Sequence, residues 1–133
     1  MNAFMGENGH GPVAPGWRQF LKLSEVGAPS STVVMVDEHP NSIDDGWFVD
    51  DPGKTNVWVD LPASQHAGCA GMSFVDGHSE IHKWVDAGTR QSTKTNGPKP
   101  YVTVPAGTAG RDLAWMLQRL TQVETNGAEN SKH

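Results

Sequence analysis

The sequence predicts an α+β fold, a small twisted and mostly antiparallel sheet of about four to six strands with short flanking helices. Three observations carry this. A β-branched run, Thr32-Val33-Val34-Met35-Val36, reads as a strand. Turn signals at Asp50-Asp51-Pro52-Gly53 and Asp76-Gly77 punctuate further short apolar runs. Two segments, one at each end of the chain, carry apolar residues at helical spacing. The 15 glycines and 9 prolines in 133 residues favour short strands and loops over a helical bundle, and the length suits one core.

In chain order, residues 1–16 read as an irregular segment rich in Gly, Asn and Pro, and residues 17–123 as the globular unit. Trp17–Val26 places Trp17, Phe20, Leu21 and Leu23 at helical spacing, with Gly27 and Pro29 as the stop. Thr32–Asp37 reads as a buried central strand. A polar loop follows, and then short strands at Trp47–Val49 and Asn56–Asp60. Trp47, Trp84 and Trp115 are expected in the core, with Trp58 more exposed beside Asn56 and Asp60. Gly71–Val75 and His78–Trp84 form a hairpin, for which Asp76-Gly77 suggests a two-residue type I′ turn. Alternation puts His78, Glu80, His82 and Trp84 on one face of the return strand, and Ser79, Ile81, Lys83 and Val85 on the other. A core face through Ile81 and Val85 leaves the histidines outward; one through Trp84 turns them inward. Residues 88–100 read as a loop. Asp112 is placed to cap a last helix, Leu113–Leu120, and the polar residues 124–133 read as a disordered tail.

The net charge is −5 with no Lys/Arg run, which argues against a nucleic-acid or anionic-membrane partner. No stretch has the roughly 18 apolar residues of a membrane span, and no signal peptide is visible, so this chain is expected to be soluble without membrane insertion. The single cysteine, Cys69, excludes an internal disulfide and reads as an inert thiol among small residues.

His66, nine intervening residues and Asp76-Gly77 match an H-X9-DG motif. Three further stretches accompany it: MNAFMG at the start, PSSTVVMVDEHPNSIDDGWF, and RDLAWMLQRL near the end. Together they resemble pseudopilin-like proteins with a prepilin-type N-terminal signal, related to the major G-type pseudopilin of type II secretion. The resemblance covers most of the chain. It implies a small sheet-rich head that normally follows a hydrophobic helix; this chain corresponds to the head without that helix. It implies a place in the cell envelope, facing the periplasm. Its implied partners are other pseudopilin subunits or an exported protein, in a structural and assembly role.

Three sets of residues could carry chemistry. Asp37, Glu38, Asp44 and Asp45 lie close in sequence with Asn41 and Ser42 between them, which suits calcium, a cation that takes six to eight oxygens. The pseudopilins this chain resembles bind calcium in a loop of their sheet region; no ligand position of theirs is carried over to a residue here. The bland alternative is a solvated loop using Asp and Asn as turn formers. Zinc is the weaker expectation, because His39, His66, His78 and His82 would have to converge with Glu80 and no close ligand pair occurs. The third set is His66 with Asp76: a His–carboxylate pair that could activate water, or merely a loop tie and a turn. The competing function is therefore a small metal-dependent hydrolase of esters or lactones. In it a cation on the acidic loop polarises the carbonyl and His66, Asp76 or His39 activates water. No G-x-S-x-G elbow supports a serine mechanism.

Overall fold

A computed structural model describes residues 1–7, 12–98, 102–103 and 110–124. The fold is α+β. Its centre is an antiparallel sheet of β1 (Val33–Val36), β3 (Cys69–Phe74) and β4 (Ser79–Lys83) in the order β1-β3-β4. A two-stranded antiparallel ribbon pairs β2 (Val57–Trp58) with β5 (Val102–Thr103). One α-helix, α1 (Arg111–Leu120), and two 3₁₀ turns, Leu23–Glu25 and Ala87–Thr89, complete the regular structure of the described residues.

The core lies between the sheet and α1. Leu113, Met116, Leu117 and Leu120 line the buried side of the helix, as the periodicity predicts. They meet Phe4, Val33, Phe48 and Trp84 in one cluster. The central strand is β3, whose Ala70, Met72 and Phe74 point inward in strict alternation. The TVVMV run is not central: β1 is an edge of the sheet and carries a bulge between Val33 and Met35, with only Val33 fully buried.

The first six residues form neither helix nor strand, yet they belong to the core. Phe4 is wholly buried, and Asn2 pairs with Phe48 in a parallel bridge. Buried Asn2 donates from Nδ2 to the carbonyls of Val33 (2.7 Å) and Leu120 (2.9 Å), and its Oδ1 accepts from the Phe4 N–H (3.0 Å). It thereby joins β1 to the carbonyl end of α1, satisfying an orphan carbonyl of the last helical turn.

The expected helix at Trp17–Val26 is replaced by extended chain ending in the 3₁₀ turn. Phe20 donates its N–H to Phe4 and accepts from Gly6, both at 2.8 Å. A ten-residue helix is marginal by itself, and here only Phe20 is buried while Leu21 and Leu23 face solvent. Tertiary pairing therefore outweighs the local periodicity. Trp47–Val49 is likewise not a strand; Phe48 makes a single bridge to Asn2. Trp58, expected at the surface, is 1% exposed. Its ring meets Trp84 edge-on at 6.2 Å, so the large apolar surface outweighs its polar neighbours. The tail from residue 125 lies outside the described residues.

Candidate functional site

The motif residues His66 and Asp76 flank the central strand. His66-Ala67-Gly68-Cys69 is a tight turn closed by a 3.0 Å bond from the Cys69 N–H to the His66 carbonyl. Ala67 and Gly68 both have positive φ, 55° and 77°, which is the type I′ signature. Six residues of β3 follow. Val75-Asp76-Gly77 then forms a three-residue loop, with Gly77 at φ 93° and its N–H bonded to the Phe74 carbonyl. The type I′ turn thus lies at the start of β3 and not at Asp76-Gly77. The Ser73↔Ser79 register demands the longer loop, a type I turn closed by a left-handed glycine. The nine residues between His66 and Asp76 are therefore two turn residues, one six-residue strand and the first loop residue.

This layout separates the two motif side chains. Exposed His66 and Asp76 stand at opposite ends of β3, roughly 17 Å apart by strand rise. Asp76 turns instead to His78. Its Oδ1 accepts from the His78 N–H (3.1 Å) and makes a short contact with Nδ1 of the same ring, while the other ring nitrogen faces Glu80 Oε2 at 3.3 Å. The imidazole also stacks on Phe74, centroids 4.4 Å apart. The bond to Asp76 and then that to Glu80 raise the His78 pKa above its ordinary value, and the same bond lowers that of Asp76.

The face of β4 that the sequence leaves undecided is settled by Trp84. Its ring is buried and its indole N–H donates to the Ala63 carbonyl at 2.9 Å. His82 leans the same way and stacks on Trp115 at 3.6 Å, and burial lowers its pKa. The Arg119 guanidinium also lies over the Trp115 ring, 4.0 Å from its centroid. Ile81, on the opposite face, is 80% exposed.

The acidic loop is built from turns. Glu38 accepts from the Ser42 hydroxyl (2.8 Å) and Asp45 from the Trp47 N–H (2.8 Å). Asp37 and Asp44 are exposed. Among the described residues no three His, Cys, Asp or Glu side chains gather as a metal would require. Buried His39 lies beneath the loop. Its Nδ1 accepts from the Asn41 N–H (3.1 Å), so the ring hydrogen sits on Nε2, which donates to the Gln91 carbonyl (3.0 Å). Both nitrogens are engaged inside the fold, which leaves none to take a proton from water. Cys69 is half-buried, with Sγ 3.7 Å from the Ala67 carbonyl.

Sequence reasoning missed the buried carboxylates. Asp112 is the second residue of α1 and not its cap; Gly110 occupies that position. Its carboxylate accepts from the N–H groups of Val85 and Asp86 and from the Thr89 hydroxyl, at 2.7–3.1 Å. Asp86 answers by accepting the Asp112 N–H (3.0 Å) and pairing with Arg111 (3.0 Å). Asp50 Oδ1 takes the N–H groups of Val59 (2.6 Å) and Asp60 (3.1 Å), and Asp60 takes that of Val49 (2.8 Å). Burial pushes the Asp50 carboxyl well up, and its Oδ2 has no partner. The only local hint was an Asp beside a strand-forming or helix-forming run.

Two grooves are lined by described residues. One of about 440 Å³ runs between Trp17, Pro52 and the Leu117–Val123 segment. The other, about 370 Å³, lies between the Ala67-Gly68 turn, Lys83 and Arg90. Neither is lined by His39, His66, Asp76 or the acidic loop. No protein-family model matches the chain, and neither a curated protein nor a solved structure matches it significantly. Among the described residues no helix is long and apolar enough to cross a membrane.

Proposed function

We propose that this chain is the globular head of a pseudopilin-like protein from a type II secretion-like or type IV pilus-like system, with a structural role. The observation that carries the reading is the use made of the H-X9-DG spacing. It measures one strand and its two turns, so the motif frames β3 and holds the sheet in register. A catalytic pair would need its two side chains within reach of one substrate atom. Partners in this reading are neighbouring subunits or exported cargo at the cell envelope. A calcium ion on the Asp37–Asp45 loop belongs to it through the resemblance and the oxygen density of that loop.

The test joins the head to a hydrophobic pseudopilin helix and asks, by electron microscopy and cross-linking, whether it enters filaments. Incorporation without turnover of an ester and lactone panel is expected. A melt after chelation, repeated with calcium, tests the ion separately, because a ligand selective for the folded state must raise Tm. Metal-dependent turnover that is lost in both His66→Ala and Asp76→Ala, with the fold intact, would replace this reading with the hydrolase.

A further inference from the structure

The three-stranded sheet has two edges, and they differ. The outer edge of β1 is covered: the Asn2 N–H bonds the Val34 carbonyl at 2.8 Å, and the Asn2 side chain bonds that of Val33. The outer edge of β4 carries no such cover among the described residues, where β4 pairs with β3 alone. The register shows which groups it presents. Phe74 donates to the His78 carbonyl and Trp84 to that of Gly68, so the even-numbered residues of β4 exchange bonds with β3. The N–H and C=O groups of Ser79, Ile81 and Lys83 then point off the sheet. Ile81, at the middle of this edge, is 80% exposed. Neither a proline nor a bulge blunts β4, the usual devices that protect a bare edge.

We propose that this edge pairs with β4 of a second copy of the chain, antiparallel and two-fold symmetric about Ile81. The strand is Ser79-Glu80-Ile81-His82-Lys83, and run against itself it is self-complementary. Ile81 meets Ile81, Ser79 meets Lys83, and the Glu80 carboxylate stands opposite the imidazole of His82 in the second copy. The outward N–H and C=O groups fall into register as about six interchain hydrogen bonds. Neighbouring registers do not work as well. A slip of two residues one way sets Glu80 opposite Glu80, a like-charge contact that destabilises a strand pair. The opposite slip sets His82 against His82 and Lys83 against Ile81. The symmetric register also puts Lys83, a residue that often guards edges, against serine and not another lysine. The product is a continuous six-stranded sheet, β1-β3-β4 from each copy. The interface is isologous, so it closes at two copies and does not propagate. One strand pair lies at the small end of interface sizes, so association is expected to be weak and concentration-dependent. This surface is independent of the head reading above.

The experiment is sedimentation of the wild-type chain across concentration, beside Ile81→Lys and two cysteine variants in a Cys69→Ser background. Wild type is expected to shift from monomer to dimer. Ile81→Lys, which sets two charges on the symmetry axis, should stay monomeric with its thermal melt unchanged, since the side chain is exposed. Under mild oxidation Ile81→Cys should form a covalent dimer, because directly opposed Cα atoms lie about 5.5 Å apart, within disulfide reach. Lys83→Cys should not, because in this register it faces position 79. A wild type that remains monomeric up to about 500 µM without an Ile81→Cys cross-link overturns the proposal. So does a dimer that Ile81→Lys leaves intact, or equal cross-linking at positions 81 and 83.

Discussion

Replacing Asp112 should cost this fold more than replacing His66, Asp76 or Gly77 of the H-X9-DG motif. The carboxylate is 2% exposed and accepts from Asp86 N–H (2.8 Å), Thr89 Oγ1 (2.7 Å) and, bifurcated, Val85 N–H (3.1 Å). Asp112→Ala strands the Asp86 and Thr89 donors, both in buried residues, while Val85 sits at a more open position that water can reach. Each stranded buried donor costs about 1–3 kcal/mol. Loss of a carboxylate from the first turn of α1 adds about 0.5 kcal/mol. The sum is about 4 kcal/mol, or a fall in Tm of about 15 °C for a chain of this size. Asp112→Asn keeps one acceptor but turns an NH₂ toward donors, so it should fall between Ala and wild type. Urea denaturation with m unchanged measures the loss, and hydrogen exchange should show the Asp86 amide deprotected in both variants. If both lose less than about 1 kcal/mol, the carboxylate is not the tie between β4 and α1 and the reasoning is wrong.

Three further outcomes follow from the same geometry. His78 and His82 should titrate on opposite sides of about 6.5, His78 above because of Asp76 and Glu80, His82 below because of burial. Stability linked to His78 is full below its unfolded pKa and disappears as pH rises through the folded value; stability linked to His82 falls as pH drops below about 6.5. NMR titration separates them, and Asp76→Asn should bring the His78 value down; an unmoved His78 would sink the assignment. Gly77→Ala meets no atom within 4 Å, so its cost is the positive φ alone, about 1 kcal/mol. Ala67→Gly should stabilise by about 0.5 kcal/mol net of the added unfolded-state freedom, since Ala67 sits at φ 55°; a Gly77→Ala melt equal to wild type together with a lowered Ala67→Gly melt would contradict both turn assignments. Asp50, held above its ordinary range by burial, contributes stability that is complete at low pH and erodes as pH rises from its unfolded pKa toward the folded one. Asp50→Asn should flatten that part of the pH–stability curve, and a curve of unchanged slope would show that Asp50 does not carry it.

The parts of the fold legible in the sequence are those set by local pattern. The Asp-Gly signal between the Gly71–Val75 and His78–Trp84 runs locates the hairpin, and the spacing of Leu113, Met116, Leu117 and Leu120 locates α1. Loop length was not legible, because Asp-Gly serves both a two-residue type I′ turn and a three-residue turn ending in a left-handed glycine. Only the Ser73↔Ser79 register chooses between them. The Trp17–Val26 segment misled for a related reason. Its apolar spacing is helical, but Phe20 is claimed by Phe4 and Gly6 from a distant stretch. Asn2 was invisible for the same cause, since its two carbonyl partners are 31 and 118 residues away. At the site, the acidic loop draws attention through its density of carboxylates, while the buried acids Asp50, Asp60, Asp86 and Asp112 are spread along the chain.

That scattering has a physical reason. Among the described residues few lie in ladders or helices, so buried N–H groups there need partners from outside regular structure. A carboxylate can accept two or more of them, and a charged acceptor makes the stronger bond. Asp50 and Asp60 close the segment around Val49 and Val59, and Asp86 and Asp112 lock the end of β4 to the start of α1. In each pair the two acids accept from each other's neighbourhood, across a turn for Asp50 and Asp60 and over a longer stretch of chain for Asp86 and Asp112, the arrangement a loop-rich core needs and a metal site does not. A cation site holds its carboxylates with free oxygens turned toward one point. Here the buried carboxylates turn oxygens to separate donors within the fold, most of them backbone N–H groups, with Asp50 Oδ2 alone left without a partner among the described residues, so the acidity of this sequence reads first as a substitute for secondary structure.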